Sequence, residues 1–253
     1  RTRNSMEMAV VQLGGHPVTI RPDEVGLGQR ESTGDIARTL SCYHAVIGAR
    51  VFDHATVKEL ADYATVPVIN MLSDSAHPLQ ALADLLTIEQ EFGEMEGIKV
   101  AYIGDSNNVA RSLAIASGMV GMDFAVASPE GYEFSDSDTA RIQKTGIEIL
   151  QTRDPNEAVE GADVIYTDVW TSMGQEKERE GRLKDFSEFT VTADLLQKAN
   201  SKNIFMHCLP AHPGEEATQE VLDGRSSRIW KQAENRMHSA RGLLMFLLPE
   251  GTE

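Results

Sequence analysis

The sequence predicts an α/β protein of two doubly wound parallel-sheet domains joined by helices, with the C-terminal helix returning to the first domain. Three observations predict it. Short apolar runs recur without alternating apolar and polar positions, which is the pattern of strands buried on both faces of a parallel sheet. Segments of helical period lie between most of these runs, so strand and helix alternate as in βαβ units. One charged, glycine-flanked turn, Phe92-Gly93-Glu94-Met95-Glu96-Gly97, separates a long helical pattern from a fresh strand.

In chain order, residues 4–13 carry the first helical pattern and 18–20 a short apolar run read as a strand. A helix over 32–43 leads to a strand at 45–51. A helix at 55–63 and a strand at 66–71 follow. Pro78 suits a first helical position and opens a helix over 78–92. Beyond the boundary come strands at 99–104, 124–127, 147–150, 164–167 and 204–208. Helices are expected at 107–117, 136–144, 192–199 and about 228–248. Residues 1–93 therefore form a first domain and 97–227 a second. The segment 228–253 follows the last strand after a long excursion and is free to pack back on the first domain. The charge-dense stretch 176–185 reads as a mobile solvated loop, which is also what a lid beside a site looks like.

Composition narrows the function. The 253 residues hold 23 Lys and Arg against 39 Asp and Glu, a formal charge of −16. Such a balance argues against a nucleic-acid groove or an anionic membrane as the main partner, because both reward basic patches. Charge is screened beyond roughly 8 Å, so a local arginine cluster can still hold a small anion. The longest apolar run, near 242–249, is too short to span a bilayer, and no signal peptide opens the sequence, so an intracellular, cytoplasmic protein is expected. Cys42 and Cys208 make neither a disulfide framework nor a CxxC site, and the histidines show no zinc-ligand spacing, so no metal is expected.

Ligands of open α/β sheets sit beyond the carboxyl ends of strands, and the polar residues at those places are the candidates for chemistry. Arg1-Thr2-Arg3 opens a helix with guanidinium forks, a hydroxyl and free backbone N–H groups, the ingredients of a phosphate cradle, or else a solvated terminus. After the strand at 66–71, His77-Pro78-Leu79-Gln80 sets His77 and Gln80 at a helix start, as donors to a carbonyl or phosphate oxygen or as solvent-facing caps. Gly104-Asp105-Ser106-Asn107-Asn108 has one glycine where a dinucleotide fingerprint needs three, and its polar turn suits a zwitterionic amino acid better. Asp168 stands at the end of a buried strand, where it caps a turn or acts as a functional acid. In His207-Cys208-Leu209-Pro210 a strand delivers Cys208 to its carboxyl end. Neighbours in a strand point to opposite faces, so His207 and Cys208 cannot form a dyad with each other.

These segments, in this order and nearly end to end, resemble the aspartate/ornithine transcarbamoylase family and, within it, the enzymes that use ornithine. Arg1-Thr2-Arg3 is similar to the tail of the family's Ser-Thr-Arg-Thr-Arg motif, so the resemblance implies a preceding strand and helix that this sequence lacks. His77-Pro78-Leu79-Gln80 matches its carbamoyl-binding motif, Asp168 with Ser172-Met173-Gly174 its ornithine segment, and His207-Cys208-Leu209-Pro210 the segment that closes the site. Asn107-Asn108 and Glu234-Asn235-Arg236 also fit. The resemblance implies transfer of the carbamoyl group of carbamoyl phosphate to the side-chain amine of L-ornithine, within a homotrimer whose sites are shared between subunits. Carbamoyl phosphate would be held by Arg1, Thr2, Arg50, His77, Gln80, Cys208, Leu209 and Arg236, with Arg3 as a further cation nearby. Ornithine would be held by Asn108, Asp168, Ser172 and Met173. Arg1, His77, Asp168, Cys208 and Arg236 would carry the catalysis. No cofactor is implied, because phosphate is already a good leaving group. A putrescine or other amine carbamoyltransferase, or a non-catalytic binding protein, are the rival readings.

Overall fold

The computed structural model describes residues 1–26, 31–171 and 176–248. It divides into two units: residues 1–79 with 236–253, and residues 80–235.

In the first unit, helices α1 (Thr2–Gln12), α2 (Pro22–Val25) and α3 (Thr33–Ser41) precede strand β1 (Ile47–Arg50), helix α4 (His54–Tyr63) and strand β2 (Val68–Leu72). β1 and β2 pair in parallel, Ile47 against Val68 and Gly48 against Ile69, as a βαβ crossover requires. Ser32 caps α3 by accepting the Asp35 N–H, and Asp53 caps α4 by accepting that of Ala55. The predicted strand at 18–20 does not form. Val18 is 58% exposed and Ile20 39%, and no described strand pairs with them, so these two apolar side chains had no sheet surface to bury.

Helix α5 (Pro78–Phe92) starts at the proline that the sequence marks as its first residue. The second unit continues with β3 (Lys99–Ile103), α6 (Asn108–Met119), β4 (Asp123–Ala127), α7 (Asp136–Gln143), β5 (Ile149–Thr152), α8 (Pro155–Val159) and β6 (Val164–Thr167). A single 3-10 turn over Glu176–Glu178, then α9 (Arg179–Asp185), α10 (Ala193–Leu196), β7 (Ile204–His207), α11 (Gln219–Leu222) and α12 (Ile229–Leu247) complete the chain. The five strands lie in the order β5-β4-β3-β6-β7, all parallel. Alternate residues feed two different cores. Ala101, Ile103, Ala125, Ala127, Ile165 and Phe205 enter one, while Val100, Tyr102, Phe124, Val126, Val164 and Tyr166 enter the other. Burial of both faces is why these strands read as continuous apolar runs rather than alternations. The second half of α12 belongs to the first unit, where Ala240 and Leu244 pack with Met6, Ala9, Ile69 and Met71.

The short helices α2, α8 and α11 escape a periodicity reading because one turn or so carries no measurable period. The charge-dense stretch 176–185 is corrected more substantially. Its described part is helical, and Arg182 is 6% exposed, its guanidinium donating to Asp105 at 2.6 Å and to the Trp170 carbonyl at 2.9 Å. An arginine this deep is kept there by a carboxylate partner and by the Tyr132 ring 4.9 Å away, neither of which is local in sequence. Among the described residues no helix is long and apolar enough to cross a membrane.

Candidate active site

Chain order and strand order together place the second unit's ligand site. From β3 the sheet grows outward through β4 to β5, then resumes on the other side of β3 with β6 and β7. The reversal falls between β3 and β6, and at such a switch point the two loops leaving the carboxyl ends diverge and open a crevice. The β3 loop carries Asp105 to Asn108 and the β6 loop begins at Asp168.

Most polar groups of the β3 loop hold the loop itself. Asp105 receives Arg182, and Ser106 Oγ lies 3.0 Å from Ser128 Oγ. Burial pushes the Asp105 carboxyl above the usual range in spite of the opposing pull of Arg182. Asn107 Oδ1 caps α6 by accepting the N–H groups of Val109 and Ala110, and its Nδ2 donates to Asp168 Oδ2 at 3.2 Å. Asn107 is therefore a spacer between helix and carboxylate, and Asn108 is the first residue of α6.

Asp168 is 7% exposed and engaged on both oxygens. Oδ1 accepts the Cys208 thiol at 2.9 Å and the Val169 N–H at 2.8 Å. The residue after β6 and the residue after β7 that the sequence marks as candidates near the reacting amine thus touch each other. Ligand-capable atoms of Asp168, His207 and Cys208 fall within 4.8 Å. Both His207 nitrogens are nonetheless spent. Nδ1 accepts the Leu209 N–H at 2.8 Å, so Nε2 carries the proton and donates it to Glu216 Oε1 at 3.0 Å. That pair holds Leu209 at φ +59°, a conformation costly for a branched side chain, and explains why His207 and Cys208 are no dyad. Tyr102 and Tyr166 stack at 5.4 Å in the core beneath, and burial, then the Asp168 charge for Tyr102 and the Asp84 charge for Tyr166, keep both phenols protonated. Ser172 and Met173 lie outside the described residues.

The remaining candidates except Gln80 belong to the first unit. Thr2 is 4% exposed at the start of α1, and its Oγ1 accepts from Arg50 Nη1 at 3.1 Å and Arg236 Nη2 at 2.8 Å. Two guanidinium groups and a hydroxyl converge here at a helix N-terminus, an arrangement able to hold an anion. Burial, with the Arg1 charge second, lowers the Arg50 pKa. Arg1 is exposed at the helix start, while Arg3 faces outward to Glu7 and is not one of the converging cations. His77 is 6% exposed, and burial first, then the Arg236 and Arg50 charges, lowers its pKa to about 3. It is a neutral imidazole at pH 7, able to donate an N–H without competing as a cation. Gln80, 1% exposed, donates its amide to Asp84 at 2.8 Å in the second unit.

The His77 shift has a measurable consequence. Its folded pKa lies below the unfolded value of 6.5, so between pH 6.5 and about 3 the unfolded chain binds a proton that the native chain refuses. Stability from this site is complete above pH 6.5 and is lost as pH falls, by up to about 1.4 kcal/mol per pH unit. Urea unfolding at pH 7 and pH 4.5 is expected to show a smaller acid loss for His77→Asn than for the parent; equal losses would show that His77 titrates normally.

Four residues that the sequence did not mark as functional shape these groups: Asp84, Arg182, Glu216 and Gln232. Only Asp84 left a signal, as the i+4 partner of Gln80 on an otherwise apolar helical stretch.

The profile of the aspartate/ornithine carbamoyltransferase carbamoyl-P binding domain matches residues 1–90, and that of the Asp/Orn binding domain residues 96–247. The chain belongs to the aspartate/ornithine carbamoyltransferase family. It is 49% identical to an ornithine carbamoyltransferase of Thermus thermophilus, over 98% of this chain and 81% of that protein. The anabolic ornithine carbamoyltransferase of Pyrococcus furiosus is 49% identical over 98% of this chain and 80% of its own length. The solved structure of ornithine carbamoyltransferase from Pyrococcus furiosus superposes with a TM-score of 0.93 at 48% identity, covering 99% of this chain and 82% of that one.

Proposed function

We propose that this chain transfers the carbamoyl group of carbamoyl phosphate to the side-chain amine of L-ornithine, giving L-citrulline and phosphate. The observation that carries this reading is the convergence of Arg50 and Arg236 on Thr2, a cradle for a phosphate dianion, in a chain with near full-length similarity to ornithine carbamoyltransferases. Residues 1–93 with the returning segment 228–253 form the carbamoyl-phosphate domain, and residues 97–227 the ornithine domain.

The chemistry follows from the reagents. Arg1, Thr2, Arg50 and Arg236 hold the phosphate, and Gln80 and the backbone at Leu209 hold the carbamoyl group. Attack by the amine gives a tetrahedral oxyanion, which Thr2, Arg1, Arg236 and the N–H of neutral His77 stabilise from fixed positions. Ornithine's amine, with a reference pKa near that of lysine at about 10.4, must lose a proton before it attacks. Asp168 and Cys208 are the groups near that amine, Asp168 as the acceptor and Cys208 able to relay the proton by passing its own to Asp168, and Asn108, Ser172 and Met173 hold the amino-acid end. Homotrimer formation, a cytoplasmic location and a place in arginine biosynthesis complete the reading, the last in keeping with the anabolic name of the Pyrococcus furiosus relative.

A colorimetric citrulline assay with ornithine, putrescine, aspartate and acetylornithine tests it. Ornithine is expected to be the preferred amine. Equal or better turnover of another would overturn the assignment, and putrescine in particular would leave Asn108 and Ser172 with no carboxylate to bind.

A further inference from the structure

We propose that Asp84 and Gln232 are positioning residues that set which end of the Gln80 amide faces the carbamoyl group. The proposal rests on the reading above, in which Gln80 binds that group.

The assembly is entirely buried. Asp84 is 0% exposed and Gln80 and Gln232 1% each. Asp84 Oδ1 accepts Gln80 Nε2 at 2.8 Å and Gln232 Nε2 at 2.7 Å. The second N–H of Gln232 goes to the Tyr166 hydroxyl at 3.0 Å, and its Oε1 accepts the His207 N–H at 2.9 Å. The contacts with Asp84 and with the His207 N–H depend on amide orientation, whereas the Tyr166 hydroxyl can donate as readily as it accepts. Turning Gln232 over would bring its oxygen against the Asp84 carboxylate and its NH2 against the His207 N–H, losing both of those hydrogen bonds in a site where an unmade one is costly. Gln232 is therefore locked, and it locks Asp84. Asp84 then offers Gln80 an acceptor and nothing else, so Gln80 must spend an N–H on it and keep Oε1 for its other side. A carbamoyl NH2 is a donor and needs such an oxygen. The same glutamine also ties this choice to the end of β7, one residue before Cys208.

A donor–acceptor reversal separates positioning from mere support. In Asp84→Asn/Gln232→Glu the net charge is unchanged and the helix-to-helix hydrogen bond is remade in the opposite sense, the new amide donating to the new carboxylate. The NH2 at position 84 then meets Gln80, which turns over and presents its own NH2 to the ligand. The expected result is a urea midpoint close to the parent's, carbamoyl-phosphate affinity weaker by about tenfold or more, and an ornithine KM within about twofold. Adding Gln80→Glu supplies an acceptor to both sides and is expected to recover most of the lost affinity. Unchanged carbamoyl-phosphate affinity in the double variant, both substrate constants rising together, or no recovery on adding Gln80→Glu would overturn the proposal. If the double variant does not fold, Gln80→Glu alone decides. Its carboxyl can donate to Asp84 only when protonated, so its carbamoyl-phosphate affinity relative to the parent must improve as pH falls, and a pH-independent loss would overturn the proposal. A parent that forms no citrulline would instead remove the reading beneath it.

Discussion

Replacing Asp168 with Asn is expected to lower kcat more than about tenfold, above about 1.4 kcal/mol in the barrier, with the fold intact. The carboxylate accepts the Cys208 thiol through one oxygen and the Asn107 amide through the other. An ammonium docked there is held by charge, and the same charge opposes its deprotonation unless a neighbour takes part. Cys208, with a reference pKa near 8.5, lies between carboxylate and amine in acidity and already points its S–H at Asp168. Asp168→Asn removes the charge and turns one acceptor into a donor that faces either the thiol or Asn107. Cys208→Ser keeps a donor to Asp168 but with a far higher pKa, so it should cost less and shift the pH profile. Measuring kcat and kcat/KM against pH for both variants and the parent checks this. An unmoved profile in Cys208→Ser would make Cys208 a packing residue of the sheet core it borders, and the proton would have to leave through phosphate or water.

Arg50→Ala is expected to weaken carbamoyl phosphate by roughly 10- to 150-fold, from about 1.5–3 kcal/mol for each charge-assisted hydrogen bond lost, while the ornithine KM barely moves. Arg50 shares Thr2 Oγ1 with Arg236, so its removal leaves one guanidinium where two converged. Asn108→Ala is expected to do the reverse, raising the ornithine KM with little effect on carbamoyl phosphate. A binding measurement supports the kinetics. Phosphate at about 100 times its dissociation constant should stabilise the parent by about 2.7 kcal/mol, and at that same concentration Arg50→Ala should gain much less. Equal losses for both substrates from either substitution would refute this division.

Much of this fold was legible in the sequence, and unevenly so. Helix α5 and strand β6 match their expected limits because a proline at the first position and a sharply bounded apolar run are local signals. The isolated run at 18–20 carried the same local signal and formed nothing, since a strand exists only when another pairs with it. Among the candidate site residues, the motifs named segments but not the contacts inside them. Asn107 and Asn108 are equivalent as sequence, and only the cap on α6 and the bond to Asp168 commit Asn107 to structure. The charges of 176–185 read as solvated because nothing nearby in the chain shows that Arg182 has a carboxylate waiting 77 residues upstream.

What the sequence by itself determined is the order of strands and helices, the doubly buried sheet and the segments that hold polar groups at strand ends. All of these depend on side-chain type and spacing over a few residues. What only the tertiary structure decided is which of those groups meet: Thr2 with Arg236 across 234 positions, Asp84 with Gln232 across 148, and Asp168 with Cys208 across 40. Local periodicity places a residue on a face of its own element. Its partner is chosen by how elements pack, where burial makes each unmatched polar group costly and so selects one arrangement of donors and acceptors.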